Sequence, residues 1–362
     1  MRRVDVENCK GEKRFRQWKR KINRSFKGCD VVKNHIIFFS GGKSSFSVAD
    51  WVKEHYPNDN IVLYFTDTLW EDEDLYRFIK EGADKLQLPL LTHSMGINPI
   101  QLMYKQRVLF NSRIGNCSKI LKMKVAADFI KKGKKPEIEY WRNKEFLKQD
   151  DFITDATLYF GIGFEEMHRE GPIRANWAPF EVCMPLIDEI IDNNEVLKKH
   201  DLKQPRLYDM KFAHNNCKGR CVKAGQGHFK NLREKMPELF QELKEQEHYL
   251  KQYVSSYHYI KSLDEDEEFK EAEIKRLDAC YHDYLYNGKG KPDIYIPPNL
   301  HIKNYSFMKK KSGPYQLKDL DRDMIEYELE QKKAQQLSLF GNVTCSIDEY
   351  DVGGCSCFVE YD

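Results

Sequence analysis

Between residue 31 and about residue 190, short apolar runs alternate with longer stretches whose apolar residues recur at helical spacing. The runs Ile36–Phe39, Ile61–Phe65, Leu88–Thr92 and Thr157–Ile162 predict strands, and Phe46–Tyr56, Asp72–Leu86 and Ser118–Lys131 predict helices. Continuous apolar strands separated by helices indicate a parallel α/β sheet with helices on both faces. Ligands of such sheets bind beyond the carboxyl ends of the strands. Further along, residues 226–286 are rich in Glu, Lys, Leu and Tyr at helical spacing, with Pro237 as the main break, and predict two or three surface helices. Gly288–Pro298 reads as a loop region. The tail after Ser312 predicts one charged helix, Asp319–Gln336, and an irregular end with Cys345, Cys355 and Cys357. The pattern divides the chain into a basic arm (1–30), a sheet domain (31–230), a helical region (231–300) and an extension (301–362).

Composition narrows the class. The 362 residues include 41% hydrophobic and 32% charged positions, with a net charge of +2. No run approaches the ~18 apolar residues of a membrane span. Met1-Arg-Arg-Val-Asp-Val-Glu7 lacks the apolar core of an export signal. Ten cysteines without such a signal point to a reducing, cytoplasmic compartment, where close cysteine pairs bind metal or do redox chemistry.

The first strand runs directly into Ser40-Gly41-Gly42-Lys43-Ser44-Ser45 and then into a helix. Strand, glycine turn and helix N-terminus form an anion site, because backbone N–H groups and the helix dipole converge there. Gly41 and Gly42 are expected to take φ > 0 and to let the backbone approach a phosphate, and Lys43 adds a mobile charge. This is not a Walker A loop, which needs a glycine five residues before Gly42; Ile37 stands there. Taken alone, the turn also reads as an ordinary βα connection.

Four other segments carry candidate chemistry. Asp67, just past the second strand in Thr66-Asp67-Thr68, is placed to hold Mg²⁺ or a ribose hydroxyl, or to cap the next helix; Glu71 follows. In Arg113-Ile-Gly-Asn-Cys117-Ser-Lys119-Ile-Leu-Lys122, the helix dipole would lower the Cys117 pKa, and Arg113, Lys119 and Lys122 would form a basic rim for a polyphosphate. Gly161-Ile-Gly-Phe-Glu165-Glu166-Met-His168-Arg169 repeats the strand-end glycine pattern, with Arg169 able to meet phosphate. Cys217-x3-Cys221, with Gly219 between, forms a turn able to present two thiolates to one metal, or two buried core thiols.

Taken in order, these motifs resemble the phosphoadenosine phosphosulfate (PAPS) reductase superfamily of PP-loop ATP pyrophosphatases, over roughly residues 33–250. The flavour is that of phage and mobile-element members related to DNA phosphorothioation sulfurtransferases. The resemblance implies an adenine-nucleotide α-hydrolase fold, a Rossmann-like sheet of the HUP type. ATP or a related nucleotide would sit on Ser40, Gly41, Gly42, Lys43, Ser44 and Ser45, with Asp67, Arg113, Gly161 and Arg169 near it. Three departures stand out. Ser44 replaces the usual PP-loop aspartate, the C-terminal Glu-Cys-Gly-x-His segment of PAPS reductases is absent, and the tandem cysteines of APS reductases are reduced to Asn116-Cys117. Cys117, Cys217 and Cys221 would still supply three ligands of a 4Fe–4S cluster or a zinc ion, with Cys355 or Cys357 as the fourth.

The activity this implies is adenylation of a substrate oxygen with release of pyrophosphate, followed by displacement of AMP by a sulfur or nitrogen nucleophile. Lys43 and Lys122 would stabilise the departing pyrophosphate, and Asp67 would position Mg²⁺. Two other readings stand beside it: a sulfonucleotide reductase, and a non-catalytic nucleotide-sensing or partner-binding module. The basic segment carrying Arg14, Arg16, Lys19, Arg20 and Lys21 reads either as a surface helix or as an arm for DNA or RNA.

Overall fold

The computed structural model describes residues 32–111, 113–288, 290–294, 305–311 and 313–337. The basic arm and Cys345, Cys355 and Cys357 lie outside the described residues.

From Asn34 on, the chain forms an α/β unit. In order it runs β1 (Asn34–Phe38), α1 (Lys43–His55), β2 (Asn60–Asp67), α2 (Glu73–Leu86), β3 (Leu90–Ser94), α3 (Pro99–Gln106), a π-helical segment Ser118–Lys124 that continues into α4 (Val125–Lys132), and β4 (Ile138–Arg142). Then come β5 (Thr157–Tyr159), α5 (Glu170–Trp177), β6 (Glu181–Cys183), α6 (Pro185–Asp188), α7 (Asn193–Lys199) and α8 (Arg206–Asp209). Long helices α9 (Gln226–Lys235), α10 (Pro237–Ser262) and α11 (Glu267–Asn287) precede a hairpin of β7 (Met308–Lys310) and β8 (Gly313–Tyr315), and α12 (Leu317–Leu337) closes the described chain.

Six strands make the main sheet in the order β4-β3-β2-β1-β5-β6. All pairs are parallel except β3–β4. The antiparallel edge departs from the expected parallel sheet. Its segment, Ile138-Glu-Tyr-Trp-Arg142, has three exposed residues at its start and no apolar run, so hydrophobic pattern gave no strand there. Every residue of β1 and β2 is buried, as central parallel strands require.

Alternation along the strands sorts the core into two layers. Ile37, Phe39, Leu63 and Phe65 pack with Phe46, Val52, Phe78 and Leu86 of α1 and α2. Ile36, Phe38, Val62 and Tyr64 face the other way, onto Phe129, Ile173 and Trp177 of α4 and α5. A third apolar cluster joins Trp70, Met103, Phe110 and Leu121 to Phe229, Leu243, Tyr253, Tyr281 and Leu317. The C-terminal helices therefore share a core with the loops beyond the carboxyl ends of the strands.

Several boundaries move from their expected places. Helix α1 starts at Lys43 rather than Phe46, which brings Lys43, Ser44 and Ser45 into its first turn. Asp72 caps α2, accepting the Asp74 N–H. The strand expected at Thr157–Ile162 ends at Tyr159, while Pro237 marks the expected break, as the first residue of α10 directly after α9 ends at Lys235. No helix among the described residues is long and apolar enough to cross a membrane.

Candidate active site

The chain leaves β1 for β2 and β3 on one side, and β5 and β6 lie on the other. The order reverses between β1 and β5, and such a switch point opens a crevice for ligands. A cavity of about 720 Å³ lies there, lined by Ser40, Gly42, Lys43, Ser44 and Ser45 after β1 and by Phe160, Gly161 and Ile162 after β5.

The two connections touch. A Cβ placed on Gly161 would lie 2.8 Å from the Ser45 backbone nitrogen and 3.0 Å from the Ser44 carbonyl carbon, so only glycine permits this approach. Gly41 has φ +80°, the left-handed conformation that glycine takes at little cost. Gly42 does not share it: it is the N-cap of α1 with φ −90°. Its lack of a side chain instead leaves room for the Tyr208 hydroxyl, 3.3 Å from where a Cβ would be. As the first turn of a helix, Lys43, Ser44 and Ser45 offer N–H groups without intrahelical acceptors.

Side chains from distant segments converge on this turn. Asn215 Nδ2 donates to the Gly41 carbonyl at 3.1 Å, and Asn193 Nδ2 donates to Ser44 Oγ at 3.3 Å. The Lys43 ammonium lies 3.2 Å from Asn194 Oδ1. Arg169, 4% exposed, enters the cavity from the 3₁₀ segment Phe164–Arg169 and pairs with Glu166. Arg169 Nε, Asn193 Oδ1 and Asn215 Oδ1 are among the cavity-lining polar atoms buried with no hydrogen-bond partner among the described residues. Buried polar groups are normally paired, and a polar ligand in the cavity would supply the missing partners.

Lys122 forms part of the floor. Burial opposes its charge, but the Glu71 carboxylate outweighs it and holds the Lys122 pKa above the ordinary lysine value. Lys119 does not join it in a basic rim. The π-helical turn leaves Lys119 exposed while Lys122 is buried. Arg113 is exposed in its loop and does not line the cavity. Nor does Asp67, whose Oδ1 accepts the Leu69 N–H and the Tyr76 hydroxyl, each at 2.8 Å. Burial raises its pKa. Among carboxylates, the cavity is lined instead by Glu165, Glu166 and Glu189.

Behind the floor, Cys117, Cys217 and Cys221 are buried in one apolar cluster. Cys117 is not activated by its place at a helix start: burial outweighs any dipole effect, and its thiol is pushed up to about 12. Cys217 and Cys221 lie against each other. The Cys221 thiol is pulled below its ordinary value by hydrogen bonding from Cys217 and His214, and Cys217 is raised. Among the described residues, no three His, Cys, Asp or Glu side chains form a group that could hold a metal ion.

Tyr208, Asn193, Asn215 and Glu189 went unrecognised in the sequence. Asn215 lies in the His214-Asn-Asn-Cys217 stretch noted for its cysteine, but no spacing rule marks an asparagine that reaches back 174 residues to Gly41. No family model matches the sequence, and no curated protein matches it significantly.

Proposed function

We propose that the cavity binds an ATP-type nucleoside polyphosphate and that the chain is a Rossmann-like, PP-loop enzyme of the PAPS reductase kind, which adenylates an acceptor oxygen with release of pyrophosphate. The observation that carries this reading is the convergence, at one switch point, of a helix N-terminus with the buried Arg169 and its partnerless Nε. Helix N-terminus and buried guanidinium together suit a polyphosphate. The same cavity offers apolar walls, including Phe38, Phe160, Ile162 and the 72%-exposed Phe164, against which a planar base would pack.

In the proposed reaction the acceptor oxygen attacks the α-phosphorus as the bond to the pyrophosphate oxygen breaks. The turn would hold the β- and γ-phosphates. Lys43, Lys122 and Arg169 would stabilise charge on the leaving group, which is the main lever in such transfers. A Mg²⁺ ion, normally held by one or two carboxylates and the substrate phosphates, would find hard oxygen donors in Glu165 and Glu189; when bound it would neutralise phosphate charge. No step is assigned to the three cysteines.

A second reading, nucleotide binding without cleavage, is favoured by two observations. Ser44 presents a hydroxyl where an acid is usual, and Asp67 is turned into its own loop.

The test is an ATP-binding and pyrophosphate-release assay on the intact chain and on Arg169→Ala. The variant should bind ATP about 10- to 100-fold more weakly, as loss of a charged hydrogen bond implies. Equal affinity would remove the cavity from consideration. Binding without pyrophosphate, across nucleic-acid and small-molecule acceptors, would favour the sensing module.

A further inference from the structure

We infer that the Tyr208 hydroxyl occupies the phosphate position at the N-terminus of α1, so that a polyphosphate must displace it to bind; this rests on the nucleotide reading above.

Tyr208 is delivered there by a fixed support. It lies on the short α8, whose first residue, Arg206, bonds Asp72 through Nε at 2.9 Å and a terminal nitrogen at 2.7 Å. The Arg206 N–H also donates to Asp74 at 2.7 Å. Its neighbour Leu207 is fully buried. The backbone at Tyr208 is thus fastened to the start of α2, and the ring projects across the glycine turn.

At the turn, Tyr208 engages Lys43 twice. Its oxygen faces the Lys43 backbone N–H, the first N–H of α1 and one that an anion would take. The Lys43 ammonium sits 4.9 Å from the centre of the Tyr208 ring. The hydroxyl is also 3.3 Å from where a Gly42 Cβ would stand, the close-approach position that a glycine in such a turn opens to a phosphate oxygen. Burial raises the Tyr208 pKa, so the group there is a neutral phenol. A neutral oxygen is a weaker acceptor than an anionic one by roughly a factor of two in bond strength. Tyr208 therefore yields to a multiply charged phosphate more readily than to a weakly charged anion.

Tyr208→Phe removes the hydroxyl and keeps the ring beneath Lys43. Calorimetric titration with inorganic pyrophosphate and with ATP should show about 3- to 10-fold tighter binding to the variant, the worth of one neutral hydrogen bond no longer broken. A second readout follows displacement directly. In chain labelled with 3-fluorotyrosine, the ¹⁹F resonance missing from the Tyr208→Phe variant should shift when pyrophosphate is added to the unsubstituted protein. Unchanged or weaker binding by the variant, or a resonance that stays fixed while pyrophosphate binds, overturns the inference and leaves the nucleotide reading intact. Failure of both proteins to bind either polyphosphate overturns both.

Discussion

The Lys122 ammonium lies 3.2 Å from the Glu71 carboxylate, and both side chains are buried. Glu71 also accepts the Thr68 hydroxyl at 3.0 Å and the Cys217 backbone N–H. One carboxylate thereby joins the end of β2, the π-helical segment and the cysteine turn. Lys122 extends the link to Asn216 Oδ1 at 3.4 Å, next to the asparagine that holds Gly41.

Breaking such a pair from one side strands a buried charge. Glu71→Gln should cost about 3–5 kcal/mol of stability, measured by denaturant unfolding. Lys122→Met in the same chain should recover much of that loss, because removal of both charges is far less costly. The coupling should reach about 2 kcal/mol. Strictly additive losses would mean that the two groups do not sense each other.

Gly161→Ala tests the contact between the two sides of the switch point. The added methyl would meet the Ser44–Ser45 backbone at 2.8–3.0 Å, and backbone cannot swing aside as a side chain can. Overpacking of this kind costs about 1–3 kcal/mol, and the shifted turn should lose nucleotide affinity as well. Gly163→Ala is the control, since no atom lies within 4 Å of that added methyl. Similar affinity in the two variants would remove Gly161 from the site.

The strands and helices around the turn were legible because their apolar runs are long and their faces alternate: Ile36 to Phe39 divides cleanly between two core layers. The edge strand β4 was not, since its exposed Ile138, Glu139 and Tyr140 carry no burial signal. Within the site, Lys43 and Arg169 could be found because a glycine turn and a strand end mark their neighbourhoods. Asp67 and Arg113 had the same kind of mark yet do not line the cavity. Sequence position places a residue at the ligand edge but does not fix its side-chain direction, which the Tyr76 hydroxyl decides for Asp67.

His228 gives the protein an acid-sensitive element. It stacks on His214 at 5.0 Å between ring centres, and its Nε2–H donates to the Gly219 carbonyl at 2.9 Å. Burial, then the neighbouring His214, lower its pKa from 6.5 to about 4. The unfolded chain binds that proton more readily, so stability rises from about pH 4 to about pH 6.5 and is lost as pH falls through this window. The contribution is about 3 kcal/mol. Glu247, pushed up to about 7 by burial, slopes the opposite way between 4.5 and 7. Because it is present in both proteins, the difference between wild type and His228→Gln isolates the histidine. The wild-type midpoint minus the variant midpoint should be larger at pH 7 than at pH 4.5, because only wild type loses the histidine contribution on acidification. An unchanged pH slope would show that His228 charges freely in the fold.

The cysteine turn stores backbone strain that a single substitution should release. Cys217, Lys218 and Gly219 all have positive φ, at +57°, +52° and +76°. For a residue with a Cβ this conformation costs about 1–2 kcal/mol, and glycine escapes it. Lys218 sits in the middle of the run, and its ammonium reaches Glu73 at 2.5 Å. Glu73 is largely exposed, so that ion pair contributes about 0–1 kcal/mol. Lys218→Gly should therefore be neutral or stabilising by about 0.5–1 kcal/mol, the strain relief exceeding the lost pair and the added freedom of the unfolded chain. Gly219→Ala should do the reverse: its methyl would face Phe212 at 3.0 Å and Leu232 at 3.2 Å as well as the unfavourable φ. Thermal unfolding of the two variants gives the ordering, Lys218→Gly at or above wild type and Gly219→Ala below it. If Lys218→Gly instead unfolded several degrees early, the turn would depend on the lysine's contacts rather than tolerate its backbone.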